Sequence, residues 1–259
     1  MKLLSKIPHK VFLLLVCCIL QSCSSTPKQT NSITVFAAAS LTDVMTEIAS
    51  QFKKETGYSV RLNFASSGIL ARQIENGAHC DYYLSASKEW MDYLDTLQYV
   101  DRNSIHSHAG NRIVAIVPVD NKKMIIDSVT IVNFPQLFEG RISLGDPNHV
   151  PAGKYAMQMI EKYGWIAELK HRLLPAKNVR DALFMVEMGE VEMGIVYASD
   201  AHKSDKVRVV YEFSGADCDP IRYYGASCPK PKKAVGAFLE FLQTDQVKLV
   251  WAKNGFRID

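Results

Sequence analysis

One device occurs twice near the start of the folded part of this chain. A short apolar strand stops at small residues and a serine, and a helix begins at once. The first copy is Ile33-Thr34-Val35-Phe36-Ala37-Ala38-Ala39-Ser40, followed by Leu41-Thr42-Asp43-Val44-Met45. The second is Val60-Arg61-Leu62-Asn63-Phe64-Ala65-Ser66-Ser67-Gly68, followed by Ile69-Leu70-Ala71-Arg72-Gln73. A helix start carries backbone N–H groups without intrahelical partners and the positive end of a dipole. A serine there adds a hydroxyl donor. Two such starts side by side make a pocket for an anion.

The first thirty residues read differently. Lys2, Lys6 and Lys10 form a basic region, and Val11 to Leu20 is an apolar run too short to span a bilayer. Leu20-Gln21-Ser22-Cys23 then resembles the box at which a peptidase cuts before a lipidated cysteine. Residues 1–22 are expected to be a lipoprotein signal peptide, and residues 23–32 a polar tether without hydrophobic periodicity. The mature protein then starts at Cys23 and hangs from a membrane on acyl chains, each buried CH₂ adding roughly 0.8 kcal/mol. Removing residues 1–22 takes away three lysines and no acid, so the formal charge of +3 falls to zero. A neutral chain lacks the basic face that nucleic acid needs. It can still hold a small anion, because backbone amides carry no net charge. Cys80, Cys218 and Cys228 remain beyond the leader. An exported compartment permits disulfides; Cys218 and Cys228 could pair across a short loop or stay apart, and Cys80 reads as a core residue. No CxxC pair supports a zinc or redox site.

Strand and helix patterns alternate along the rest. Leu41, Val44, Met45, Ile48 and Phe52 recur at helical spacing before Gly57, with Ser40 and Asp43 in capping-box register. The series of short strands followed by helices predicts parallel α/β sheets. Arg112 to Pro118 reads as a crossover between two lobes, and Ile221 to Ala226 as the return. Residues 33–112 and 221–259 are expected to form one lobe and residues 113–220 the other. Ligands of open α/β sheets bind outside the carboxyl ends of the strands. Five segments point there: Ala39-Ser40, Ser66-Ser67-Gly68, Pro151-Ala152-Gly153, Asn178-Val179-Arg180 and Val196-Tyr197.

These segments, with Phe36-Ala37-Ala38-Ala39-Ser40-Leu41, Leu70-Ala71-Arg72-Gln73-Ile74-Glu75, Gly145-Asp146-Pro147, His149-Val150-Pro151-Ala152-Gly153 and Gly194-Ile195-Val196-Tyr197, closely resemble the molybdate-binding proteins of bacterial ABC importers. The resemblance runs from about Ile33 to Ile258. It implies an α/β periplasmic-binding-protein fold of type II: two lobes, two crossover segments and a ligand cleft between them. It also implies capture of molybdate or tungstate by neutral donors: the hydroxyl of Ser40, the hydroxyl and amide of Ser67, the backbone N–H groups of Ala152 and Val179, and the phenol of Tyr197. Expected partners are an ABC permease with its ATPase, the oxyanion, and a membrane through the Cys23 anchor. A monomer without cofactor, exported and facing the periplasm or cell exterior, is the expected state.

The chemistry is consistent with that implication. A tetrahedral dianion without a proton offers only acceptors, so a site made only of donors fits it. Hydrogen phosphate carries an O–H, and leaving it unpaired costs about 1–3 kcal/mol. Sulfate lacks such a proton and stays open as an alternative ligand. A serine hydrolase would need a base beside Ser40 or Ser67, and no Gly-x-Ser-x-Gly elbow occurs. Each residue also has a duller role: Ser40 and Ser67 as helix caps, with Ser66 competing for the second, Tyr197 as a core aromatic, Arg180 as a solvated charge, and the histidines as surface or loop residues. Cys80 and Ser87 depart from the family pattern, as does the polar, proline-rich stretch from Cys218 to Lys233.

Overall fold

The structure is a computed structural model that describes residues 31–258; the leader, Cys23 and most of the tether lie outside the described residues. Two five-stranded mixed sheets organise the fold. The first takes β1 (Ser32–Ala38), β2 (Ser59–Ala65), β3 (Tyr82–Ser85), β4 (His106–Gly110) and β10 (Arg222–Ser227), in the order β2-β1-β3-β10-β4. The second takes β5 (Ile113–Pro118), β6 (Ile142–Gly145), β7 (Leu173–Ala176), β8 (Met193–Tyr197) and β9 (Val207–Glu212), in the order β7-β6-β8-β5-β9.

Strictly parallel sheets are not what forms. β1 runs parallel to β2 and β3, and β6 parallel to β7 and β8, as strand–helix–strand units require. β10 is antiparallel to β3 and β4, and β5 is antiparallel to β8 and β9. The apolar segments read as crossovers are therefore sheet strands, each entering its sheet from the other one. The passage out is the dipeptide Asn111-Arg112 between β4 and β5; the passage back is the longer stretch between β9 and β10. The amide of Asn111 donates to the Ile221 carbonyl at 3.2 Å and ties the two passages together.

Helices cover both faces of the first sheet. Alternation along β1 sends Ile33, Val35 and Ala37 to one face and Phe36 to the other. The first face packs on α1 (Thr42–Thr56), which stops at Gly57 with φ +76°. The closing helices α8 (Lys233–Leu242) and α9 (Asp245–Lys253) join it there, with the rings of Phe52 and Phe238 5.1 Å apart. The opposite face packs on α2 (Ser67–Glu75) and α3 (Lys88–Thr96) through Leu70, Ile74, Met91 and Leu94. The second sheet carries α4 (Pro151–Lys162), α5 (Ile166–Leu169), α6 (Val179–Glu187) and α7 (Ala198–His202).

Cys80, Cys218 and Cys228 are free thiols. The thiol beside Cys228 is that of Cys80 in the core under α2 and α3, not that of Cys218. Among the described residues no helix is long and apolar enough to cross a membrane.

Candidate functional site

The strand–serine–helix device builds the first half of the site. Ser40 sits in a 3-10 turn, Ala39–Leu41, between β1 and α1. It does not cap α1, whose first turn has no side-chain cap. Its Oγ instead accepts a hydrogen bond from the Tyr223 phenol at 2.9 Å. In the second copy the two serines divide the work. Ser66 is the cap, its Oγ accepting from the Ile69 amide at 3.3 Å. Ser67 becomes the first residue of α2, and its Oγ accepts from the Ala86 amide at 3.0 Å. Ser67 is fully buried.

The second half is built from two helix starts and one phenol. Pro151 at the first position of α4 has the φ that a helix needs and no N–H to waste. Ala152 follows, with an amide in the first turn that has no carbonyl one turn back within the helix. The helix start is pressed onto the end of β6: a Cβ on Gly153 would lie 1.8 Å from the Gly145 carbonyl oxygen. Asn178 caps α6 by accepting from the Asp181 amide at 3.0 Å, so Val179 is the first helical residue. Tyr197 ends β8.

Contacts across the cleft bring these pieces together. The Gly68 amide donates to the His149 carbonyl at 3.1 Å, and Ser66 Oγ lies 2.9 Å from His149 Nδ1. A Cβ on Gly68 would stand 2.8 Å from that carbonyl oxygen, so glycine is what lets α2 approach the α4 start. Arg180, next to Val179, reaches the Ser40 carbonyl at 3.5 Å and Asp43 at 2.6 Å. Lys154 of α4 pairs with Glu89 of α3. The Tyr197 ring lies 6.0 Å from that of Tyr223, the residue bonded to Ser40. Ser40, Ser67, Ala152, Val179 and Tyr197 are all 0% to 3% exposed. The site is sealed.

Electrostatics separate dipoles from charges. Arg180 is no solvated charge. Its burial disfavours the cation, but Asp200 and Asp43 outweigh that and raise its pKa. Asp200 Oδ1 lies 2.5 Å from Arg180 Nε. Burial pushes the Asp200 carboxyl up to about 6, with Arg180 opposing. Burial also drives the Tyr197 phenol well above its usual range, so it remains a neutral donor. That hydroxyl is buried and has no hydrogen-bond partner among the described residues. Such a group costs about 1–3 kcal/mol unless an acceptor meets it. Both cations beside the helix starts, Arg180 and Lys154, already hold carboxylates. Among the described residues no cluster of three or more His, Cys, Asp or Glu is placed to hold a metal ion. Local sequence pattern named His149, Asp43 and Arg180 without these contacts and gave no role to Tyr223 or Asp200, because the partners are remote in the chain.

Two α/β halves joined by two passages, with buried serines, helix starts and a phenol gathered where they meet, have the architecture of a solute-binding protein. The chain belongs to the family of bacterial extracellular solute-binding proteins, which matches residues 33–257. It is 43% identical over 230 residues to the molybdate-binding protein ModA of Escherichia coli (strain K12), covering 87% of this chain and 89% of that one. It is 33% identical over 249 residues to the putative ABC transporter substrate-binding lipoprotein YvgL of Bacillus subtilis (strain 168), covering 95% of this chain and 94% of the relative. The periplasmic molybdate-binding protein of Azotobacter vinelandii shares the fold, with a TM-score of 0.77 at 18% identity over 88% of this chain and 99% of that one. A family of binding proteins leaves the serine-hydrolase alternative without support.

Proposed function

We propose that this protein captures molybdate, with tungstate as its equivalent, and delivers it to an ABC permease driven by an ATPase. The relatives named above support the transport role. The observation that carries the ligand class is the pairing of a sealed, uncharged donor set with cations that are already neutralised. A proton-free dianion meets only dipoles there. The donors are the hydroxyls of Ser40, Ser67 and Tyr197 and the amides of Ser67, Ala152 and Val179. Each hydrogen bond to a charged acceptor contributes about 1.5–3 kcal/mol. Together they can exceed the cost of dehydrating the anion.

Residues 33–112 with 221–259 act as one lobe and residues 113–220 as the other. The membership of the two sheets supports that division. Ligand capture closes the lobes about the passages at Asn111-Arg112 and before Arg222, as in other hinged binding proteins. Cys23 carries a lipid anchor; the order of basic, apolar and small residues before it supports this, as does the lipoprotein relative. Mass spectrometry of Cys23 tests the anchor.

Calorimetry of the detergent-solubilised chain tests the ligand. Molybdate and tungstate should bind tightly and hydrogen phosphate negligibly. Heat from sulfate alone would reassign the ligand, and no heat from either metal oxyanion would remove the proposal.

A further inference from the structure

The serine hydroxyls at this site face a problem that the amides do not. A backbone N–H can only donate, whereas a hydroxyl has one proton and two lone pairs and can present either. Nothing in a serine by itself makes it a donor towards a ligand. The groups behind it decide.

Behind Ser40 stand two residues from separate parts of the sequence, Tyr223 and, behind it, Asn111. The Asn111 side-chain oxygen accepts from the Arg112 amide at 2.9 Å and the Ser199 amide at 3.5 Å. Two backbone donors on one oxygen fix which way the amide points. Its nitrogen then donates to Ser199 Oγ at 2.8 Å and to the Tyr223 phenol oxygen at 3.2 Å. With an N–H arriving at the phenol oxygen, the phenol proton is free to point onward, and Ser40 Oγ lies 2.9 Å away. Asn111, Tyr223 and Ser40 are all buried, so water does not compete. Burial also raises the Tyr223 pKa far beyond its usual range and keeps that proton in place. Ser67 has a shorter version, in which the Ala86 amide donates into its Oγ.

We propose that Tyr223, oriented by Asn111, is a specificity-determining positioning residue that turns the Ser40 hydroxyl into a one-way donor towards the bound anion. This rests on the oxyanion reading of the site. The relay Asn111 N–H to Tyr223 O–H to Ser40 O–H runs in one direction, and each bond polarises the next. Its consequence is discrimination. A ligand that must donate a proton finds one of the two Ser40 lone pairs already held by the phenol, whereas a proton-free anion needs only the hydroxyl proton.

The test uses the full chain in detergent, with Tyr223→Phe, Ser40→Ala and the double variant. Each is titrated with molybdate, with sulfate as a proton-free control, and with hydrogen phosphate by displacement at pH 8. Tyr223→Phe should weaken molybdate about tenfold and sulfate in parallel. Hydrogen phosphate should change little, so that the molybdate-to-phosphate affinity ratio falls about tenfold. In the Ser40→Ala background the same change should alter molybdate affinity less than about twofold, since its effect passes through Ser40. Asn111→Ala is the second variant and should move the ratio in the same direction by about threefold. Equal losses for all three anions, or a full Tyr223→Phe effect without the Ser40 hydroxyl, would overturn the relay while leaving the oxyanion site intact. Wild-type protein that binds none of the anions would remove the oxyanion reading and the relay together.

Discussion

The two halves of the site use different materials. The first sheet supplies serine hydroxyls whose acceptor sides are filled from behind, at Ser40 by Tyr223 and at Ser67 by Ala86. The second supplies helix-start amides at Ala152 and Val179, whose side chains do nothing polar, and a single side-chain donor, the Tyr197 phenol. The first half therefore depends on residue identity, and the second, Tyr197 apart, on backbone position. In the second half the demanding residues are not the donors but the glycines that seat them. Gly153 and Gly145 touch where a methyl group has no room.

The strongest way to break this contrast is Gly153→Ala. Its new Cβ would stand 1.8 Å from a backbone oxygen, so α4 must move off β6. A stability loss of about 3 kcal/mol or more is expected in denaturant unfolding, with molybdate affinity falling alongside. Unchanged unfolding would mean that the backbone half is not held by this contact.

Acid should separate the halves next. His108 in β4 is held against Tyr82 and Trp251, and burial, helped by His106, lowers its pKa to about 4. The unfolded histidine takes its proton near 6.5, so this contribution to stability is present above 6.5 and is lost as pH falls towards 4. Asp200 behaves oppositely. Its folded pKa of about 6 exceeds the model-peptide 3.8, so its contribution is full below 3.8 and is lost as pH rises through 6. Each spans roughly 3 kcal/mol. In thermal melts from pH 4 to 7, His108→Gln should remove the acid-side loss and Asp200→Asn the opposing slope. Identical profiles in both variants would contradict these assignments.

Smaller changes sharpen the contrast at the ligand. Ser67→Ala deletes a donor and leaves the Ala86 amide without its acceptor, so molybdate affinity should drop about 10- to 100-fold by calorimetry. Smallest of all, Ala152→Gly keeps the amide. It should cost about 1 kcal/mol of stability at most and change affinity less than about threefold. A larger loss there would give the Ala152 methyl a role that this account denies it.

Local patterns carried much of this in the sequence. The strand–serine–helix copies, the glycine stops and the Asn178 cap depend on residues within a few positions of each other, and they form as their spacing implies. What failed was remote. Ser40 and Asp43 have the spacing of a capping box, but Tyr223, 183 positions away, takes the serine and Arg180 takes the aspartate. Arg180 looks solvated until Asp200 and Asp43 fold onto it. The antiparallel strands β5 and β10 escaped because periodicity reports that a strand is buried, not which neighbour it meets or in which direction. Tyr223 gave no signal beyond an apolar strand; its hydroxyl acquires meaning only when Asn111 and Ser40 stand on either side.

The chain leaves the first sheet after Gly110 and rejoins it only at Arg222. On a ribosome this sets an order of assembly. All five strands of the second sheet emerge before β10 exists, whereas β3 lacks one neighbour, and Tyr82 its Phe238 contact, until the final seventh of synthesis. The half of the binding cleft that begins the chain is thus the last to be completed, and Ser40 waits exposed for a phenol that is made almost two hundred residues later.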